Sequence, residues 1–122
     1  MSGVLVIDGD QTAVQTLGLA CLERGFGVLM ADNLCEGVRT LLTTSVSIIV
    51  VDVAQLRLAP REHAALFDRV APGVPVLVVV SRHTPFDVRL DFQLAGFCVL
   101  TRPPAVEELL AHAPGAEAPW DR

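Results

Sequence analysis

Three carboxylates and one guanidinium stand where they could share one task. Asp8 and Asp10 follow the apolar run Val4-Leu5-Val6-Ile7, Asp52 closes Ile48-Ile49-Val50-Val51, and Arg102 follows Val99-Leu100-Thr101 and precedes Pro103-Pro104. Carboxylates gathered in this way can hold a hard divalent cation through oxygen or take up a phosphoryl group, and a guanidinium beside them can grip an oxyanion. Each charged residue sits at the end of a short β-branched and aliphatic run. In an open parallel sheet, the crevice beyond the C-terminal strand ends is where ligands bind. The acids and the base are therefore expected to meet at one place.

That meeting depends on the elements between them, and the chain alternates between two periods. Val4 to Ile7 reads as a strand, and Asp10 as the N-cap of a helix from Gln11 to Arg24, with Val14, Leu17, Gly18 and Cys21 on one face and Gly25 ending it. Phe26 to Ala31 reads as a second strand, and Asn33 caps a helix to Thr43. Val46 to Asp52 is the most apolar strand, followed by a loop to Pro60 and a helix from Arg61 to Val70. Pro72-Gly73 is a turn before the strand Val76 to Val80. Thr84-Pro85 gives an N-cap and a first-turn proline for a helix that Gly96 closes. Phe97 to Leu100 is the last strand, and Val106, Leu109 and Leu110 form the inner stripe of a last helix. Strict alternation with short connections requires parallel strands and right-handed crossovers. The expected fold is α/β, a three-layer doubly wound five-stranded parallel sheet in the flavodoxin-like order 2-1-3-4-5, with Asp8 and Asp52 on neighbouring strands.

Composition narrows the function. A chain of 122 residues is the size of one domain and buries a core without disulfide staples. Hydrophobic residues make up 52% and mean hydropathy is +0.51. Charges nevertheless interrupt every apolar run well short of the roughly 18 to 20 residues of a membrane span, so the excess reads as strands buried on both faces and no membrane partner is expected. The start, Met1-Ser2-Gly3, carries no basic leader, which makes the cytoplasm the expected location. Net charge is −5, and the nine basic residues are all Arg and scattered, so no nucleic acid is expected to bind through this domain. Cys21, Cys35 and Cys98 have no metal or redox spacing and read as small buried hydrophobes. His63 and His83 lack a partner at catalytic spacing and read as surface polar residues, and His112 as a cation near a helix end. Residues 1–113 form the domain; 114–122, which include Trp120, have linker composition and point toward a further, effector domain.

The order acid pair, single Asp, then a basic residue before Pro resembles the receiver domain of two-component response regulators, over about residues 3 to 112. The resemblance implies a CheY-like module of phosphorelay signal transduction and transcription regulation. It is not an enzyme beyond its own Asp phosphorylation and dephosphorylation, and its partners are a histidine kinase or other signalling protein, its own effector domain, and a homodimer mate. Asp52 takes the phosphoacceptor position and Arg102 the position of the family's lysine. A Mg²⁺ site would draw on Asp8, Asp52, the Ala54 carbonyl and, secondarily, Asp10. The resemblance also implies a cis peptide between Arg102 and Pro103, which aims the basic side chain into the site.

The chain departs from the family at several places. Gly9 stands where the second acid of the pair belongs, and Asp10 falls one residue late, so Mg²⁺, which demands octahedral oxygen geometry, is expected to bind weakly. The sensing hydroxyl falls on Val80, or on Ser81 after a slip of one residue. The aromatic switch position is Val99, with Phe92 and Phe97 reading as core. An Arg102–Asp52 ion pair at rest is as compatible with the sequence as a phosphate clamp. The reading is an atypical receiver that acts through protein contacts of its fourth helix, fifth strand and fifth helix, with little or no Asp phosphorylation. A competent receiver phosphorylated on Asp52 stays open beside it. So does a flavodoxin-like small-ligand domain, against which stands the lack of any glycine-rich phosphate loop.

Overall fold

Runs of Val, Ile and Leu that alternate with amphipathic stretches leave each strand apolar on both sides, and such strands are stable only between two layers of helix. A computed structural model of the protein describes residues 3–113 and shows this arrangement. The elements run β1 (Gly3–Ile7), α1 (Gln11–Glu23), β2 (Gly27–Ala31), α2 (Leu34–Thr43), β3 (Ile48–Asp52), a 3₁₀ turn (Val53–Gln55), α3 (Pro60–Val70), β4 (Val76–Val80), α4 (Phe86–Leu94), β5 (Cys98–Thr101) and α5 (Val106–Leu110). All the strand pairs are parallel, in the order β2-β1-β3-β4-β5. Strands β1 and β3 lie side by side with Ile7 opposite Val51, which brings their C-terminal ends together.

Alternate residues of the sheet feed two cores. Leu5, Ile7, Ile49, Val51, Val78 and Val80 face α2, α3 and α4, where Phe67, Phe92 and Phe97 pack edge to face with ring centroids 5.8 and 6.2 Å apart. Val4, Val6, Ile48, Val50, Leu77 and Val79 face α1 and α5. Asp10 caps α1, accepting from the N–H groups of Thr12 and Ala13 at 3.1 and 3.2 Å, and Asn33 caps α2 through Glu36 N–H at 2.9 Å. Gly25, Gly73 and Gly96 adopt positive φ where the chain leaves α1, α3 and α4.

Three local expectations are corrected. Pro85 rather than Thr84 holds the N-cap position of α4; its ring has no acceptor to cap the helix, and the Thr84 hydroxyl pairs with Ser81 Oγ. His63 is 1% exposed rather than on the surface, and its Nε2 accepts from Leu58 N–H at 2.9 Å, so it pins the loop after β3. His112 lies near the end of α5, two residues past Leu110, with Nε2 3.4 Å from Cys98 Sγ. Cys21 is buried and Cys98 half-buried, but Cys35 is exposed, because it falls on the outer side of α2. Residues 114–122, read as a linker, lie outside the described residues.

Candidate functional site

The cluster expected from the three strand ends forms at the C-terminal edge of the sheet. Asp8 follows β1, Asp52 ends β3, and Arg102 follows β5 with its N–H donating to the Val80 carbonyl at 2.8 Å. The Arg102–Pro103 peptide is cis. One guanidinium nitrogen, Nη2, donates to Asp8 Oδ2 at 2.8 Å and also to Asp52 Oδ1. The remaining oxygens are taken by backbone: Asp8 Oδ1 accepts from Asp10 N–H at 2.9 Å, and Asp52 Oδ2 from Ala54 N–H at 3.1 Å. Both aspartate side chains are 13% exposed and the arginine 31%, so the triad sits at the floor of a shallow crevice. The bond to Asp52 raises the arginine's pKa above its ordinary value; burial opposes this and the bond to Asp8 adds to it.

Other residues singled out in the sequence do not join the triad. The Asp10 carboxylate is committed to the N-cap of α1. Gly9 contributes no side chain, although a Cβ there would meet only ordinary contacts, with Asp32 O at 3.5 Å and Gln55 Nε2 at 3.6 Å. Val80 ends β4 fully buried. Ser81 is the first loop residue, and its hydroxyl accepts from His83 N–H at 3.2 Å and pairs with Thr84 Oγ1 at 3.3 Å. Val99 is half-buried against the phenylalanine core. Ala54 lies in the 3₁₀ turn directly after Asp52.

A divalent cation at this place would need about six oxygens in octahedral array. The donors do not fit that need: two carboxylates face the crevice, both are bonded to Arg102, and the third is spent on a helix. Among the described residues, no group of three or more His, Cys, Asp or Glu side chains is arranged to hold a metal. The guanidinium supplies the positive charge between the two acids.

Two features were not foreseen from the sequence. Arg89 of α4 reaches back over the β4–α4 loop: Nη2 donates to Ser81 O at 2.9 Å, Nε to Thr84 O at 3.3 Å, and Nη1 to Thr101 Oγ1 at 3.0 Å. It ties that loop to the end of β5. Nothing in the local sequence marks it, because Thr101 is brought beside that loop only by the β4–β5 pairing. The second is a largely apolar cavity of about 420 Å³ bordered by the triad itself and lined by Ala13, Leu17 and Ala20 of α1, by Val50 and Val79, and by Pro104.

The strand order and the doubly wound layers coincide with known structures. A response regulator protein from Burkholderia pseudomallei, solved with a phosphorylated aspartic acid, calcium ion and citrate, superposes with TM-score 0.79 and 22% identity, over 94% of this chain and 68% of that one. The receiver domain protein (CheY-like) from Methanospirillum hungatei JF-1 gives TM-score 0.76 and 16% identity, over 90% of this chain and 88% of that one. The fold is that of a response-regulator receiver domain. In sequence, this receiver fold is 26% identical over 125 residues to the transcriptional regulatory protein GlrR of Escherichia coli (strain K12), covering 96% of this chain and 28% of that protein. The same figures hold for the transcriptional regulatory protein QseF of Escherichia coli O157:H7. The chain thus spans just over a quarter of the length of the curated relatives it matches. No family model matches it.

Proposed function

We propose that this chain is the receiver domain of an atypical response regulator, one that holds a single signalling conformation with weak or no phosphorylation of Asp52. The observation that carries this reading is Arg102 Nη2 donating to both Asp8 and Asp52. In a working receiver a metal ion neutralises the incoming phosphoryl group, a cationic side chain stabilises its oxygens, and a hydroxyl registers the product. Here Gly9 withdraws one carboxylate, the arginine occupies the place between the other two, and Val80 offers no hydroxyl. Arg89 adds a fourth restraint by bonding the loop after β4 to Thr101. A ligand shifts an equilibrium only through contacts that differ between the two states, and few such contacts are left.

Output would pass through protein contact. On α4, Phe86, Leu90 and Leu94 recur every four residues and form one exposed apolar stripe, with Phe86 and Leu94 about three-quarters exposed. That stripe, with β5 and α5, is the surface for an effector domain or signalling partner in the cytoplasm. It would regulate transcription by docking rather than by chemistry.

The test is an NMR titration of backbone amides with Mg²⁺ and beryllofluoride, beside a Gly9→Asp variant, whose Cβ would meet only ordinary contacts. The expected result is an almost unchanged spectrum for the natural sequence and shifts near Asp52 in the variant. Large shifts around Asp52 and α4 in the natural sequence at physiological Mg²⁺ would establish the competent receiver instead. The apolar cavity beside the triad is of ligand size, which gives the small-ligand reading its own test. Tight binding of a flavin or nucleotide in equilibrium dialysis would displace the receiver reading.

A further inference from the structure

Strand β2 forms one edge of the sheet, and its own residues, Gly27-Val28-Leu29-Met30-Ala31, carry no charge, proline or bulge to keep that edge from pairing. Natural edges are ordinarily blunted with Lys, Pro or a covering segment, and among the described residues no strand pairs with the outer side of β2. The groups that face outward can be assigned. The Ala31 carbonyl accepts from Asp8 N–H at 3.0 Å, so Ala31, and with it Leu29 and Gly27, directs its backbone toward β1. In a parallel ladder a residue turns both its N–H and its C=O to the same side. Val28 and Met30 therefore present two donors and two acceptors to the outside.

We infer that this edge pairs with the same edge of a second copy, antiparallel about a twofold axis through Leu29, to make a continuous ten-stranded sheet across the dimer. The register follows from the outward groups. Val28 exchanges both hydrogen bonds with Met30 of the partner subunit, Met30 does so in return, and Leu29 faces its own counterpart. That register sets apolar residues opposite one another along the strand and brings no two like charges together.

Helix α1 supports the same partner. The helix lies directly on β2: even a Cβ at Gly18 would be in ordinary contact with Val28, 3.5 Å from its Cγ1. Ala13, Leu17 and Ala20 line the cavity on one flank of the helix; at 100° per residue, Leu19 and Leu22 fall on the opposite flank, above the strand edge. Leu19 is 64% exposed, Leu22 55% and Met30 59%. With strands about 4.8 Å apart, a helix centred over β1 and β2 lies about 10 Å from its twofold mate, close to the 8–10 Å of packed helices. Strand edge and helix flank are thus both complementary to themselves at one spacing, which a passing peptide strand would not satisfy. The inference stands on this edge alone and is independent of the chemistry at Asp52.

Sedimentation equilibrium of the 122-residue chain from micromolar to millimolar concentration tests it, together with Met30→Lys and, on the helix flank, Leu19→Glu. The expected result is a reversible dimer whose dissociation constant rises at least about tenfold in either variant with circular dichroism unchanged. In a Cys35→Ser background, Leu29→Cys should give a disulfide-linked dimer, because facing residues at a non-hydrogen-bonded antiparallel pair are within disulfide reach. A chain that stays monomeric to millimolar concentration overturns the inference. So does a dimer that survives both charged variants, fails to cross-link at position 29, or dissociates instead on Leu90→Ser in the α4 stripe.

Discussion

Replacing Arg102 by Met removes the charge between Asp8 and Asp52 while keeping an unbranched stem of similar bulk. Both acceptor oxygens touch the same nitrogen, so they lie within about two hydrogen-bond lengths, on the order of 5 to 6 Å, of each other. At an effective dielectric of about 20, two unit charges at that distance repel by about 3 kcal/mol. The lost attraction adds to this, and release of the guanidinium from its partly buried place offsets part of it. Because that group is about one-third exposed, solvent screening brings the expected loss to about 2 kcal/mol rather than the ~3–5 of a fully buried pair. For a domain of this size the midpoint of thermal unfolding should drop by roughly 8 °C. Urea unfolding at neutral pH and low salt, with and without Mg²⁺, is the assay. In the variant the two carboxylates are free to take a divalent ion, and Mg²⁺ at ten times its Kd should restore about 1.4 kcal/mol, whereas the natural sequence should gain almost nothing. A variant as stable as the parent, or a parent that gains as much from Mg²⁺ as the variant, would refute the view of Arg102 as the built-in cation.

Burial holds the pKa of His63 below its ordinary value of 6.5, against a smaller upward pull from Glu62, so the unfolded chain takes up the proton first. Its stabilising contribution is complete above about pH 6.5 and is lost as pH falls through that value toward the lower folded pKa. Urea midpoints should therefore decline more steeply on acidification in the parent than in His63→Gln, and parallel curves would contradict this. A Cβ at Gly37 would sit 2.4 Å from Ile7 Cδ1 and 2.8 Å from Cγ1, so Gly37→Ala should cost about 1–3 kcal/mol despite the better helix propensity of Ala, and adding Ile7→Ala should recover part of the loss. Asp10→Ala removes the acceptor for Thr12 and Ala13 N–H and should destabilise by about 1 kcal/mol, without the Mg²⁺ sensitivity expected of a metal ligand.

The strands and helices were legible because each carries its own local signal. Val76 to Val80 is an unbroken β-branched and aliphatic run between a turn and a polar loop, and its bounds in the structure are the same. Asp10 and Asn33 announce two helix starts by chemistry that acts over three residues. Thr84-Pro85 misled because two local uses of a threonine hydroxyl compete, capping a helix or bonding to a neighbouring serine, and the loop fold favours the second. His63 misled because a polar residue on an amphipathic helix is ordinarily outward, while here the ring is buried and accepts from a backbone N–H five residues earlier.

By itself the sequence determined that acids and a base end neighbouring strands, since strand period and crossover handedness leave few ways to arrange five alternating β/α units. It determined equally which side chains those positions bring to the sheet edge, because the absence of a carboxylate at Gly9 or of a hydroxyl at Val80 is a matter of composition at one position. Only the tertiary structure decided that one nitrogen of Arg102 serves both aspartates, that Arg89 fastens the loop after β4 to β5, and that among the described residues no strand pairs with the outer side of β2. These are relations between residues far apart in the chain, and their geometry is set by packing of the whole sheet, which no local pattern encodes.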